Sequence, residues 1–183
     1  ARLRPWLYGG LALVILQIAL GAWTAANYAA VACPDLPTCQ GQWWPEDMDF
    51  RHGFDILQTI GPNYLGGQLT ADGRVAIHMT HRIGAMVVLG YFAVLLLVLW
   101  RQVRQTPLRS MVLLTAGVLL MQIGLGIANV AFHIPLSVAV AHNAMGAGLL
   151  LTVIHMLWRV HGYARQPVAE PASTTTNQRE VPA

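Results

Sequence analysis

Val75-Ala76-Ile77-His78-Met79-Thr80-His81-Arg82-Ile83-Gly84-Ala85-Met86-Val87-Val88-Leu89-Gly90-Tyr91-Phe92-Ala93-Val94-Leu95-Leu96-Leu97-Val98-Leu99-Trp100 is the most informative segment of the chain. From Ile83 to Trp100 no charge interrupts it. A helix rises about 1.5 Å per residue and the hydrocarbon of a bilayer is roughly 30 Å thick, so the run is long enough to be read as a membrane span. The span extends back to Val75 only if His78, His81 and Arg82 lie inside the protein, because ionisable groups facing lipid are costly.

Three more runs have the same character. Leu7 to Val31 is uncharged, and Ser110–Phe132 and Ser137–Trp158 follow the central segment. A membrane-spanning backbone must satisfy its own polar groups, which selects helices. The expected fold is an all-α membrane protein, a four-transmembrane-helix bundle with helices at about 7–31, 75–100, 110–132 and 137–158. Composition agrees: 55% of the 183 residues are hydrophobic and 10% charged, against roughly a quarter charged in soluble domains. A soluble globule is thereby excluded.

All eleven basic residues are arginine, and the net charge is +3. They form no single basic run, so nucleic acid is not an expected partner; membrane lipid is. Arg2 and Arg4 precede helix one, Arg101, Arg104 and Arg109 fill the link between helices two and three, and Arg159 and Arg165 follow helix four. All fall on one side, which the positive-inside rule makes cytoplasmic. The long loop at about 32–74 then lies outside, with six acids (Asp35, Glu46, Asp47, Asp49, Asp55, Asp72) against Arg51 and Arg74. Both termini are expected in the cytoplasm and the protein in a bacterial inner membrane. The chain opens on Ala1, with the first span almost at once, which reads as a fragment rather than a cleaved signal. Residues 1–165 form the expected membrane domain, and the polar 166–183 segment an expected disordered cytoplasmic tail.

Helices one and three share a pattern. Leu16-Gln17-Ile18-Ala19-Leu20-Gly21, followed by Asn27, matches Met121-Gln122-Ile123-Gly124-Leu125-Gly126, followed by Asn129. Helices two and four each carry a His near their outer end, followed by small residues. The chain reads as two similar helical hairpins.

Helices two and four run in the same direction, so His81 and His142 fall at similar depth. Polar groups at such depth face the bundle interior and are functional candidates. Two neutral imidazoles across a bundle can supply both axial ligands of a haem iron. Gly84 and Ala85 follow one turn below His81, and Gly146 one turn below His142, leaving room for a flat macrocycle. Arg82 is a candidate bidentate partner for a haem propionate. His78, one turn outward of His81, is a candidate contact or proton route. The bland alternative is that the histidines only pack. A zinc site built from His78, His81 and His142 is a further alternative. His155 has no ligand opposite it near Val94 or Leu95 and reads as a solitary polar residue; His52, His133 and His161 read as accessible.

Cys33 and Cys39 are the only cysteines. They flank Pro34-Asp35-Leu36-Pro37-Thr38 on the outer, oxidising side, so a disulfide is expected. Whether it is structural or redox-active stays open at this level. Trp43-Trp44-Pro45 reads as an interfacial anchor.

Together these motifs resemble the haem A synthase family, which takes part in cytochrome oxidase assembly. The resemblance rests on Leu20-Gly21-Ala22-Trp23-Thr24-Ala25-Ala26-Asn27, on Cys33 to Cys39 with Gln42-Trp43-Trp44-Pro45, on His81-Arg82 and on Ala141-His142-Asn143. It covers about residues 5–160. It implies an eight-helix protein of two similar halves, of which this chain is similar to the C-terminal one. That half is implied to hold a haem b between histidines matching His81 and His142, with a disulfide more structural than catalytic. The N-terminal half is implied to oxidise the methyl group of haem O to the formyl of haem A. An essential glutamate stands there one turn before its His-Arg pair; here that position is His78, which places the oxidation outside this chain. The implied partners are haem O and haem A, the N-terminal half and possible further copies in a homo-oligomer; no electron donor is identified. The remaining alternatives are a stand-alone bis-histidine electron carrier and a non-catalytic assembly protein.

Overall fold

The computed structural model describes residues 3–57, 69–102 and 108–163. Arg104, Arg165 and the 166–183 tail lie outside the described residues. Helix α1 spans Arg4–Ala26, a 3-10 turn spans Ala29–Val31, and a short α2 spans Phe50–Gly53. Then follow α3 (Ala71–Gln102), α4 (Leu108–Ala131) and α5 (Leu136–Tyr163). The described residues contain no named strand; Cys39 and Gln42 form an isolated bridge. Four helices, α1, α3, α4 and α5, are long and apolar enough to cross a membrane. The chain is an all-α, multi-pass membrane protein, as its four apolar runs predict.

The helix ends differ from the hydropathy boundaries for local reasons. α1 begins earlier because Pro5 sits in its first turn, where the missing N–H costs no bond and the fixed φ suits a helix. It ends at Ala26 rather than 31 because Tyr28 takes a left-handed φ of 52°, which no helix continues. α3 begins at Ala71 rather than 75. Its 32 residues would extend about 48 Å, more than hydrocarbon requires. The excess stands under the long loop, where Val75, Ala76, Ile77, His78 and Met79 are all buried. Beyond Ile83, burial in α3 falls to one face: Val88, Phe92, Leu95, Leu96 and Leu99, the spacing of a single helical stripe.

α1 packs on α3 and α5, and α4 packs on α5 and α3, closing a ring of four. The core fills the half away from the long loop. Leu7 and Val14, Val88 to Leu99, Val112 and Leu119, and Leu149 to Leu157 meet there. In lipid such a core is held by close packing rather than by expulsion of water. Side chains such as Leu16, Val87, Leu114, Leu120 and Leu151 point outward, as lipid contact requires.

The loop end is organised separately. Asp49 caps α2 by accepting from the His52 N–H. Trp23 Nε1 donates to the Gly53 carbonyl at 2.9 Å, pinning α2 to the end of α1. Gly53 also lies close to Gly73 at the start of α3: a Cβ on Gly53 would meet the Gly73 oxygen at 2.8 Å.

Candidate functional site

Above the Val14–Val88–Leu119–Leu149 layer the packing changes. α4 has no buried residue from 120 to 131, and α5 none from 136 to 145. In place of an apolar core the bundle carries a polar level built from glutamine and histidine. Gln17 on α1 faces His81 on α3, and Gln122 on α4 faces His142 on α5.

The two pairs repeat one design. Gln17 Nε2 donates to His81 Nδ1 and to the His81 carbonyl, both at 3.0 Å. Gln122 Nε2 approaches His142 Nε2 at 3.3 Å. One turn after each glutamine a glycine lies against the imidazole. A Cβ on Gly21 would stand 3.1 Å from His81 Cε1, and one on Gly126 would stand 3.2 Å from His142 Cε1. His81 also lies within electrostatic reach of His142. The internal repeat is therefore a repeat of geometry. Sequence reasoning found Gln17-Ile-x-Leu-Gly21 and its copy but gave the glutamines no role; their recurrence was the available signal.

The pairs differ in where the ring proton sits. His142 Nδ1–H donates to the Gln122 backbone carbonyl at 3.1 Å, which leaves its Nε2 with a lone pair. His81 Nδ1 accepts from Gln17, so its proton sits on Nε2.

The other expected residues take different positions. Gly84 and Gly146 make room for glutamines: a Cβ on Gly84 would run into Gln17 Oε1, and one on Gly146 would meet Gln122 Nε2 at 3.5 Å. The room expected below each histidine is thus used by Gln17 and Gln122, and the glycines against the rings come from the facing helices. Arg82, expected as a propionate partner, grips the disulfide loop. Its Nη1 donates to the Thr38 carbonyl at 2.8 Å, and its Nη2 to the Cys33 and Asp35 carbonyls at 2.9 Å each. Of the Arg82 nitrogens, Nε is the one buried without a partner. His78 is buried, and its Nδ1–H donates to the Ala29 carbonyl at 3.0 Å, tying α3 to the turn after α1. The zinc alternative fails: among the described residues no three His, Cys, Asp or Glu side chains come together to hold a metal ion. His155 is exposed and accepts from Arg159 Nε at 3.3 Å, so it is paired within its own helix rather than solitary. His161 is half-buried against Tyr8, 6.0 Å between ring centroids.

Cys33 and Cys39 are joined by a disulfide, with Cα atoms 4.6 Å apart. The loop is further closed by a tight turn at Gln40 (φ 56°) and Gly41 (φ 76°), the pattern of a two-residue hairpin turn with both central residues left-handed. Cys39 N–H donates to the Gln42 carbonyl at 2.9 Å, and Gln42 N–H returns the bond at 3.1 Å. The Asp35 carboxylate sits inside this ring. It accepts from Thr38 Oγ1, Gln40 N–H and Gly41 N–H. Those bonds, the Thr38 hydroxyl foremost, hold its carboxyl down at about 2.

A flat bis-imidazole-bound group fits this level on three observations. The two histidines stand within electrostatic reach of each other on helices that run in the same direction. The facing helices carry glycine where a Cβ would crowd the rings. Gln17 Oε1 and Gln122 Oε1 are buried with no partner, so each pair retains an unused acceptor beside its ring.

Comparison with known proteins identifies the family of the chain. A family profile described as cytochrome oxidase assembly protein matches residues 1–154. The chain is similar to proteins named heme A synthase. It is 40% identical to that of Shewanella oneidensis over 159 residues, 85% of this chain and 47% of the relative. It is 32% identical to that of Caulobacter vibrioides over 159 residues, 86% and 42% of the two chains. It is 34% identical to that of Maricaulis maris over 155 residues, 82% and 40%. The chain thus spans less than half the length of these curated relatives. No solved structure matches it.

Proposed function

The chain belongs to the family of cytochrome oxidase assembly proteins, and on that premise we propose that it is the haem b-binding half of a haem A synthase. His81 and His142 would hold the haem iron, each through Nε2. The observation that carries this is the duplicated Gln–Gly–His arrangement at one level of a bundle that has no apolar core there.

Each element has a defined task. α3 and α5 set the two imidazoles at matching depth. Gly21 and Gly126 let the facing helices approach the rings. His142 is already held in the tautomer that ligation needs, because the Gln122 carbonyl takes its Nδ1–H. The Arg82 clamp and the disulfide loop cap the loop end and limit water. A propionate at Arg82 would have to use the free Nε or replace one of the loop carbonyls. A haem held here supplies a one-electron iron couple. The position one turn before His81 is His78, committed to the Ala29 carbonyl, and among the described residues no carboxylate is bonded to His81 for oxidising a methyl group. The conversion of haem O to haem A is assigned to the N-terminal half of the complete enzyme. Both termini are assigned to the cytoplasm and the disulfide loop to the outside, from the arginine distribution.

The test uses the full protein encoded by the gene, expressed in a host that makes haem O but no haem A. Extracted haems are separated by chromatography. Haem A is expected from the wild type, and its loss with persistence of haem O is expected in His81→Ala and His142→Ala. Undiminished haem A in both variants would overturn the proposal.

A further inference from the structure

The two histidines are not held alike, and the difference points to one side chain. We infer that Gln17 is the positioning residue of His81, and that its carboxamide reverses when His81 becomes an axial ligand. This deepens the haem-binding proposal and rests on it.

An imidazole that ligates through Nε2 carries its one proton on Nδ1. That N–H needs an acceptor, because a buried unpaired donor costs about 1–3 kcal/mol. At His142 the acceptor is in place: the Gln122 backbone carbonyl lies 3.1 Å from Nδ1. Backbone cannot be removed by a side-chain change. At His81 the group facing Nδ1 is the Gln17 amide N–H at 3.0 Å, so in the ligating tautomer donor would face donor. No other hydrogen bond joins His81 Nδ1 to a described residue. The same carboxamide holds the remedy, since Gln17 Oε1 is buried without a partner. Turning the amide over places Oε1 on Nδ1–H; because the atom there also stands 3.0 Å from the His81 carbonyl, the turn must tilt Oε1 away from that oxygen toward the ring. The carbonyl keeps its acceptor role in the helix. Thus one ligand is oriented by backbone and the other by a side chain that can turn over.

The strength of the Nδ1 hydrogen bond sets how much electron density the ring gives the iron. A stronger acceptor makes the imidazole more anionic and favours the ferric state; removing the acceptor does the reverse. Gln17 therefore tunes His81, whereas the Gln122 side chain has no corresponding hold on His142 once Nε2 is taken.

The experiment is a spectroelectrochemical titration of the full protein, purified with its haem in detergent. The relevant component is the b-type one that His81→Ala removes. Gln17→Leu is expected to raise the midpoint potential of that component and to speed haem transfer to apomyoglobin about 10- to 100-fold. Gln17→Glu is expected to lower the potential, a change of opposite sign that lost stability would not produce. Gly90→Ala, whose added Cβ meets nothing within 4 Å, is the control and is expected to leave the potential at the wild-type value. Wild-type potential and haem retention in both Gln17 variants would overturn the inference, as would equal shifts in Gln17→Leu and Gly90→Ala. If no haem component depends on His81, the haem-binding proposal itself fails. The component's presence with indifferent Gln17 variants sinks only the role of Gln17.

Discussion

Gly21 lies against the edge of the His81 imidazole, so that a Cβ added to it would stand 3.1 Å from Cε1. Gly126 stands in the same relation to His142, at 3.2 Å. Both glycines are inside helices and neither has a positive φ. Alanine there relieves backbone entropy by about 1 kcal/mol, so any loss must come from displacing the rings. Gly21→Ala and Gly126→Ala are expected to fold normally and to lower haem affinity about tenfold or more. Gly90→Ala, where a Cβ meets nothing within 4 Å, is the control and should bind haem as the wild type does. Haem content after gel filtration measures all three.

Arg82 joins the span to the loop through three carbonyls. Arg82→Gln cannot span all three, and the loop loses charge-assisted bonds worth about 1.5–3 kcal/mol each at most. Thermal unfolding in detergent should fall by several degrees. Limited proteolysis should cut between Cys33 and Gln42 in the variant and spare the wild type. Equal protease resistance would show that the clamp contributes nothing.

The disulfide closes a ring with a sequence separation of 6. Loop-closure entropy assigns such a ring about 2 kcal/mol. Protein unfolded without reductant should contain no titratable thiol. Cys33→Ser with Cys39→Ser should lose stability of that order and should loosen the Arg82 clamp, giving the same protease sites as Arg82→Gln.

Asp35 gives the loop a defined acid response. Its carboxyl is held near 2 in the folded loop against an ordinary 3.8. A depressed folded value means the carboxylate favours the folded loop above about pH 4, and that support is lost as pH falls through about 2. Exchange of the Gln40 and Gly41 amides, which donate to Asp35, should be constant from neutral pH to about 4 after correction for intrinsic rate. Protection should then decline toward pH 2. Asp35→Asn should abolish that decline.

Much of this architecture was legible from the residues alone. Uncharged runs of membrane length mark α1, α3, α4 and α5, because lipid imposes one rule on every residue of a span. The distance of His81 and His142 to the span ends sets the expectation of similar depth. The disulfide followed from Cys33 and Cys39 being the only pair. Three features did not follow. Tyr28 ends α1 through its left-handed backbone, which an apolar run does not reveal. Arg82 turns toward the loop because three carbonyls converge there, a product of the closed ring rather than of local sequence. Gln17 and Gln122 were visible as a repeat, but only the packing of α1 on α3 and of α4 on α5 shows which histidine each one meets.

The central claim is that His81 and His142 jointly bind one iron. It is tested most directly by the reduced-minus-oxidised optical spectrum of the detergent-purified full protein, alongside His81→Ala and His142→Ala. The account predicts a low-spin b-type component in the wild type that is lost from each variant while both remain folded. A wild type without that component, or a component that survives both substitutions, would contradict it.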